Sequence, residues 1–179
     1  MALSATVSTF RVELADIDRG VYDSFEQRVA QHPSETTDYL LTRVLAFALE
    51  FTDGIAFTRG VSTGDEPAIV VRDATGDLRA WIEVGAPPAE RLHRGSKAAA
   101  RTALYTHRPI AKVLAGYAGK TIHGRESIPV HAFEPAFIER AAAAIGRRNR
   151  LALTVNERQL LLDINGELFE SESQHHALG

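Results

Sequence analysis

The chain has no cysteine among its 179 residues. Disulfide bonds and thiolate metal sites are therefore excluded. The side chains that remain as metal ligands are carboxylates and imidazoles, and oxygen ligands favour hard ions such as Mg²⁺ or Mn²⁺. Any metal chemistry in this protein is thus expected to depend on Asp, Glu and His.

The chain also lacks a strong net charge and a long apolar run. Its formal net charge is −3, so it has no general attraction to nucleic acid, and any basic surface must be local. No apolar stretch approaches the roughly 18 residues of a transmembrane helix. The N-terminus has no positively charged region ahead of an apolar run, as a signal peptide would. We therefore expect a soluble cytoplasmic protein without a membrane span.

The length and the composition are those of an ordinary globular protein. Hydrophobic residues make up 45% of the chain and charged residues 24%, which is a typical balance. A chain of 179 residues favours one domain. No internal repeat or linker is evident, so we expect a single domain over residues 1–179.

The first elements are predicted from residue patterns. Residues 3–14 mix β-branched and polar residues and predict a strand, and 21–31 is expected to return beside it as a hairpin, although its apolar spacing also fits a helix. Pro33 breaks the chain, and Ser34 is suited to cap a helix over about 34–51, whose apolar residues recur at helical spacing.

The central elements alternate between strands and a helix. They are strands at 55–58, 69–72 and 78–84, a helix over about 88–101 and a strand at 103–106. The last two strands before the helix are joined by a turn-forming segment, 73–77. The order helix, three strands, helix, strand predicts an α/β fold with a mixed β-sheet and flanking helices. Its core extends over about 34–107.

The C-terminal half continues with shorter elements. They are helices at 109–118 and 135–148, a strand at 128–133 and strands at 151–155 and 158–164. Pro129 suggests that its strand lies at a sheet edge. Asn165-Gly166 is a hairpin turn sequence. The last residues, 171–179, are expected to be a loose tail.

Two acidic residues stand at the ends of the predicted central hairpin. If the turn centres near residue 75, position 67 lies opposite Glu83, and Asp65 falls close to it at the same end of the sheet. Carboxylates in such a pair repel unless a cation lies between them. The alternative is that Asp65 belongs to a solvated loop tip. Glu83 lies in an apolar strand, so it is expected to be covered and to need a partner or a metal.

A basic helix is predicted directly after Glu83. Arg91, Arg94 and Arg101, with Lys97 between them, are expected to share one face. They form either a phosphate-binding surface or a solvated amphipathic face. The spacing alone does not decide between the two, and the proximity to Glu83 favours the functional interpretation.

Histidine and serine give no comparable signal. The seven histidines are scattered along the chain, and no pair has zinc-ligand spacing on one element. Each is therefore expected to be an ordinary surface or core residue. The serines lack the setting of a nucleophile elbow.

These motifs resemble those of the YaeQ family, whose fold is similar to that of the PD-(D/E)XK nuclease superfamily. The matching segments are His32-Pro33-Ser34-Glu35-Thr36, Phe57-Thr58-Arg59-Gly60, Asp65-Glu66-Pro67, Trp81-Ile82-Glu83 with Gly85 and Pro87, and Glu90-Arg91. They occur in one order and extend through most of the chain. The superfamily core has the same order, αβββαβ, and here N- and C-terminal β-hairpins would be added to it.

The resemblance implies a set of site residues. Asp65 and Glu83 match the two acids of the motif and would bind Mg²⁺ or Mn²⁺. Glu35 resembles the additional helical acid of many superfamily members, or simply stabilises a helix N-terminus. Superfamily members carry Lys two residues after the second acid, where this chain has Gly85. The family has a Lys in the following helix, where this chain has Arg94, and either Lys97, one turn later, or Arg94 itself would take the role of that lysine.

The resemblance implies a function in nucleic acid metabolism. The first hypothesis is a metal-dependent nuclease that hydrolyses phosphodiester bonds, with Asp65, Glu83, Lys97 and Glu35 as catalytic residues. Arg91, Arg94 and Arg101 would contact the substrate. The alternative is an inactive regulatory module that binds nucleic acid or protein on a nuclease scaffold, and a third is a purely structural ion network. The sequence does not determine the oligomeric state.

Overall fold

The computed structural model describes residues 4–59 and 64–179. The chain divides into two compact units, one containing residues up to Leu41 together with Glu134–Ser173, and the other containing Thr42–Phe133 and Gln174–Gly179. The boundary falls within a helix, so the single domain expected from the length stays a prediction.

The described residues form eleven β-strands and four α-helices. In chain order they are β1 (Thr6–Asp16), β2 (Val21–Gln31), α1 (Thr37–Leu49), β3 (Ile55–Phe57), β4 (Ile69–Arg72), β5 (Leu78–Val84), α2 (Ala89–Ala98), β6 (Arg101–Thr106), α3 (Ile110–Tyr117), β7 (Pro129–Ala132), α4 (Pro135–Ala142), β8 (Arg148–Asn156), β9 (Gln159–Ile164), β10 (Glu167–Glu172) and β11 (Gln174–Ala177).

A five-stranded mixed sheet forms the first unit, in the order β10-β9-β8-β1-β2. β1 and β2 pair antiparallel along their full length, from Thr6 opposite Gln31 to Asp16 opposite Val21. This confirms the N-terminal hairpin and excludes the helical alternative for β2. The parallel partner of β1 is β8. The N- and C-terminal hairpins, which were predicted as two additions to the core, therefore form one sheet with each other.

A six-stranded mixed sheet forms the second unit, in the order β11-β7-β6-β5-β4-β3. β5, β6 and β7 run parallel to one another, and the other pairs are antiparallel. Parallel neighbours need crossover connections, which α2 and α3 supply. The order α1-β3-β4-β5-α2-β6 confirms the element order predicted for the core and the mixed α/β class.

α1 begins three residues later than expected. Thr36 caps it, since its Oγ1 accepts the N–H of Tyr39 at 3.1 Å, which is the usual role of a threonine at this position. Ser34 instead contacts the ring of His32. After the helix, Gly54 turns the chain with a φ of +81°, and a Cβ there would meet the carbonyl oxygen of Arg72 at 1.8 Å. Only glycine fits this position.

Two helices end earlier than predicted, and in each case a strand begins within the range that was predicted to be helical. α4 ends at Ala142, whereas the prediction continued it to residue 148, where β8 begins. α2 ends at Ala98, and Arg101 is the first residue of β6, opposite Ala80 of β5. Helix propensity is a weak preference that tertiary pairing overrides.

The C-terminal residues are an ordered strand, which corrects the prediction of a loose tail over 171–179. β11 pairs antiparallel with β7, with His175 opposite His131. β7 is therefore an interior strand, and the expectation that Pro129 marks a sheet edge is wrong. Beyond the strand, the Leu178 side chain is 2% exposed and joins an apolar cluster of the second unit. Burial of this side chain in the cluster fixes the position of the C-terminal residues.

No helix in the described ranges has both the length and the apolar character needed to span a membrane.

Replacement of Leu178 by Ala should lower the free energy of unfolding by about 2–5 kcal/mol, because it removes buried methyl groups and leaves a cavity. Urea denaturation followed by circular dichroism measures the change. His176→Ala in the same segment alters an exposed side chain and should change stability by at most about 0.5 kcal/mol. Equal effects of the two substitutions would show that the tail does not contribute to the core.

Candidate functional site

The register of the central hairpin differs by one residue from the prediction. Next to the turn, Arg72 lies opposite Leu78, which is the predicted alignment, but a bulge between Val71 and Arg72 shifts the ladder, so that Ile69 lies opposite Ile82. Continued by one pair, the ladder brings Ala68 opposite Glu83, where the prediction had Pro67. A bulge inserts one residue into one strand, and no residue pattern in this segment indicates it.

Glu83 is a buried carboxylate with three hydrogen-bond donors around it. Its exposed fraction is 1%. The indole Nε1–H of Trp81 donates to Oε1 at 2.8 Å, from the same face of β5 because side chains alternate along a strand. Arg91 donates from Nε to Oε1 and from Nη2 to Oε2, both at 3.1 Å. The charge of Glu83 is thus compensated within the protein.

Burial and ion pairing act on Glu83 in opposite directions. Burial raises the pKa of its carboxyl group, while the charge and hydrogen bonds of Arg91 and the hydrogen bond from Trp81 lower it, and burial is the larger effect. The net result is a pKa above the usual value. A carboxylate in this setting needs its arginine partner, since a buried unpaired charge is strongly destabilising.

The close approach of α2 to β5 brings Arg91 to Glu83. Gly95 makes this approach possible, because a Cβ at that position would meet Cδ1 of Trp81 at 2.4 Å. The indole ring therefore lies directly beneath the helix backbone. Trp81 and Glu83 were predicted to be covered residues of this strand, whereas Gly95 was missed, since its role depends on the packing of the two elements.

Arg91 also joins Glu83 to the acidic segment that precedes β4. Its Nη2 donates to the backbone carbonyl of Glu66 at 2.6 Å. One guanidinium therefore contacts both the Glu83 carboxylate and the Asp65-Glu66 segment. The two segments therefore meet at an arginine of α2, whereas an ion shared by the Asp65 and Glu83 carboxylates stays a prediction.

Asp65 has a separate cationic partner. Its Oδ1 accepts a hydrogen bond from Nη1 of Arg94 at 2.5 Å, and its side chain is 89% exposed. The two predicted metal ligands therefore differ in environment, since Glu83 is enclosed and Asp65 stands in solvent. Each forms its ion pair with a different arginine of α2.

As placed, these residues do not fit a divalent metal. In residues 4–59 and 64–179 there is no group of three or more His, Asp or Glu side chains that could hold one. A hard cation takes about six oxygen ligands, whereas the donors around Glu83 are N–H groups of Arg91 and Trp81. The expected Mg²⁺ or Mn²⁺ thus stays a proposal.

Arg101 does not belong to the basic face of α2, which corrects the predicted row of cations. As the first residue of β6, it forms an ion pair with Glu50. Glu50 is buried and also accepts the hydroxyl hydrogen of Tyr105 at 2.7 Å. Burial alone would lower the pKa of Arg101, but the hydrogen bonds and charge of Glu50, together with the charge interaction with Tyr105, outweigh burial and raise that pKa. A role of Arg101 in substrate binding stays a prediction.

Glu35 lies just before α1, within the first unit, whereas Asp65 and Glu83 belong to the second. Its Oε2 accepts the backbone N–H of His32 at 3.4 Å, and its own N–H donates to the carbonyl of His32. These contacts describe a local turn at the start of the helix. The catalytic role implied for Glu35 stays a prediction.

A basic groove runs along the outer face of α2. Its volume is about 880 Å³, and the opposite wall is the 119–121 segment that follows α3. The charged or polar side chains along it are Glu90, His93, Arg94, Lys97, Lys120 and Thr121. Positions 90, 93, 94 and 97 share a face because they lie three or four residues apart. We call this feature the α2 groove.

The α2 groove combines predicted and unpredicted residues. Arg94 and Lys97 were predicted from their helical spacing. His93 and Lys120 were missed, since nothing in the sequence indicates that the 119–121 segment returns beside α2. Among the described residues, no acidic side chain forms an ion pair with Lys97 or Lys120.

The comparisons with known proteins identify the family. A model of one protein family, described as YaeQ protein, matches residues 1–173. The chain belongs to the YaeQ family. The resemblance inferred from the motifs is thereby confirmed at the level of the family.

Two crystal structures of YaeQ proteins share the fold. The protein from Xanthomonas axonopodis pv. citri has a TM-score of 0.88 at 28% identity, over 97% of this chain and 99% of that one. The protein from Pseudomonas syringae has a TM-score of 0.84 at 29% identity, over 98% of both chains. The mixed α/β architecture is thus that of known YaeQ structures.

Curated YaeQ relatives match a shorter part of the chain. Those from Escherichia coli (strain K12) and Salmonella typhi are 36% and 35% identical over 107 residues. Each match spans 60% of this chain and 59% of the relative. Both relatives carry the name "Uncharacterized protein YaeQ".

Replacement of Arg91 by Met should lower the free energy of unfolding by about 3–5 kcal/mol near neutral pH, because Glu83 would remain buried without its cation. The methionine keeps the apolar stem, so the change isolates the lost charge. Urea denaturation measures the effect. Arg94→Met is the matched control, since the exposed pair with Asp65 should contribute at most about 1 kcal/mol.

The destabilisation caused by Arg91→Met should depend on pH, and the pKa of Glu83 determines the sign of this dependence. The folded-state pKa of Glu83 is raised and should rise further without Arg91. A raised carboxyl pKa makes the folded state bind more protons than the unfolded state, so stability falls as pH rises through that pKa. The destabilisation by Arg91→Met should therefore be smaller at about pH 5 than at about pH 8. A larger loss at the lower pH would contradict this account of the ion pair.

Proposed function

We propose that the protein binds nucleic acid by holding backbone phosphates in the α2 groove, on a scaffold similar to that of PD-(D/E)XK nucleases. The observation that carries the proposal is the convergence of Arg94, Lys97 and Lys120 on one groove with a single acidic residue, Glu90. The order of elements, with the strand that carries Glu83 followed by a basic helix, supports the nuclease-like scaffold.

The charge distribution of the chain agrees with a local phosphate site. A net charge of −3 gives little general attraction to a polyanion, so binding has to depend on a small cationic surface. Lysines act on phosphate as compact point charges, and an arginine adds directional hydrogen bonds. The α2 groove provides both kinds of contact at neighbouring positions.

Few contacts imply weak, salt-dependent binding. Each neutralised phosphate releases counterions, so about three contacts give a slope of log affinity against log salt of about −2 to −3. Dissociation constants in the range of about 10⁻⁴ to 10⁻⁶ M are expected for such non-specific binding at physiological salt. Sequence preference would require contacts to bases in addition to phosphates.

Lys97→Gln and Lys120→Gln should each weaken the binding of labelled oligonucleotides and reduce the magnitude of the salt slope by about 0.7–0.9, because each removes one phosphate contact. Fluorescence anisotropy with single- and double-stranded DNA and RNA at several salt concentrations measures both quantities. The matched control is Lys112→Gln, since Lys112 is an exposed residue of α3 that does not line the α2 groove.

Binding that persists unchanged in both groove variants would contradict the proposal, as would equal loss in the Lys112 variant. No binding of any oligonucleotide by the wild-type protein at low salt would also overturn it. A difference between DNA and RNA would indicate which sugar the groove accepts, since the 2′-hydroxyl distinguishes them.

Metal-dependent hydrolysis of phosphodiester bonds is the second candidate. One observation favours it, namely that Arg91 brings the Asp65-Glu66 segment and Glu83 to a common point. A divalent ion would have to take the place of the guanidinium there. In this proposal Asp65 and Glu83 are the metal ligands, and Lys97 contacts the substrate from the adjoining groove.

If the protein is such an enzyme, Mg²⁺ or Mn²⁺ should bind with a dissociation constant that Glu83→Gln raises at least about tenfold, because an amide is a poor substitute for a charged ligand. Isothermal titration calorimetry measures binding, and gel analysis of incubated DNA and RNA measures cleavage. The hydrolytic proposal fails if the wild-type protein and the Glu83 variant bind metal equally, or if neither cleaves any substrate.

A further inference from the structure

His93 connects the two walls of the α2 groove. It lies on α2, lines the groove and is half-buried. Its Nδ1 accepts a hydrogen bond from the backbone N–H of His123 at 3.2 Å. His123 follows the 119–121 segment that forms the opposite wall. The imidazole therefore joins the helix to the segment facing it.

This hydrogen bond determines which nitrogen of the neutral ring carries the proton. A backbone N–H is a donor only, so Nδ1 must present a lone pair and the neutral ring must carry its proton on Nε2. Nδ1 is therefore already engaged in a hydrogen bond within the protein. Within the described part of the chain, Nε2–H has no acceptor, so this donor is the edge available to a ligand.

The surroundings of this donor are suited to an anion. Arg94 and Lys97 lie on the same face of α2, and Lys120 stands on the facing wall. Glu90 is the one acidic side chain among the groove residues. A neutral N–H donor among cations adds a directional hydrogen bond to a phosphate oxygen, which charge alone does not supply.

We propose that His93 is a phosphate-binding residue of the α2 groove, which donates Nε2–H to a phosphate oxygen while the backbone of His123 holds the ring in this tautomer. The inference rests on the proposed binding of nucleic acid in that groove. In this inference Nδ1 holds the ring in position and Nε2–H binds the phosphate, so the two nitrogens can be tested separately.

Asparagine and glutamine separate the two edges. The side-chain oxygen of Asn occupies the position of Nδ1, so His93→Asn keeps an acceptor for the N–H of His123 and loses the groove donor. The amide of Gln reaches the position of Nε2, so His93→Gln keeps a polar group in the groove and loses that acceptor. Both replacements are neutral and polar.

The experiment measures oligonucleotide affinity by fluorescence anisotropy and the exchange protection of the His123 amide by NMR. His93→Asn should weaken binding by about 3- to 10-fold, which is the loss expected for one hydrogen bond, while the His123 amide stays protected. His93→Gln should bind more tightly than His93→Asn, although its His123 amide exchanges faster than in the wild type.

The nitrogen shifts of His93 provide an independent measurement on the wild-type protein. They should show the Nε2–H tautomer before ligand is added, and the Nε2 signal should move on titration with an oligonucleotide. His176, which is exposed on β11, is the reference histidine and should not respond.

Three results would overturn the inference: wild-type affinity in His93→Asn, loss of affinity only together with loss of His123 protection, or an Nδ1–H tautomer in the wild type. If Lys97→Gln and Lys120→Gln weaken binding and His93→Asn does not, the role of His93 fails and the proposed function stands. If none of these variants affects binding, the proposed function itself fails.

Discussion

The structure around the candidate site depends on one buried charge. Glu83 lies in a strand that is covered on both faces, where an ionised carboxylate is tolerated only with a cation beside it. Arg91 is that cation, and it can reach Glu83 because Gly95 lets α2 lie directly against the indole of Trp81. The position of the helix, and with it the direction of its outer face, follows from this requirement.

A second consequence concerns the acidic segment before β4. Because the guanidinium of Arg91 also binds the carbonyl of Glu66, the need to neutralise Glu83 fixes the chain that carries Asp65. Arg94 then pairs with Asp65 at the solvent-exposed side of the same helix. Arg91 thus pairs with a buried carboxylate on the inner side of α2, and Arg94 pairs with an exposed one on the outer side.

Local patterns in the sequence predicted most of the elements. Alternation in β1 and the turn residues at 73–77 and 165–166 marked strands and hairpins correctly, since these signals act over a few residues. Errors arose where distant segments compete for the same residues. The pairing of Arg101 with Ala80 ends α2 early, and the burial of Leu178 orders a tail that was predicted to be loose from its terminal position.

The sequence by itself determined the family, the order of elements and the presence of a strand with a buried glutamate before a basic helix, because each is encoded by residues close together in the chain. Only the tertiary structure decided which charges meet. The bulge at Val71–Arg72 set the register, and the return of the 119–121 segment brought Lys120 to the groove and His123 to His93. Such contacts depend on the folding of segments about thirty residues apart, which no local pattern records.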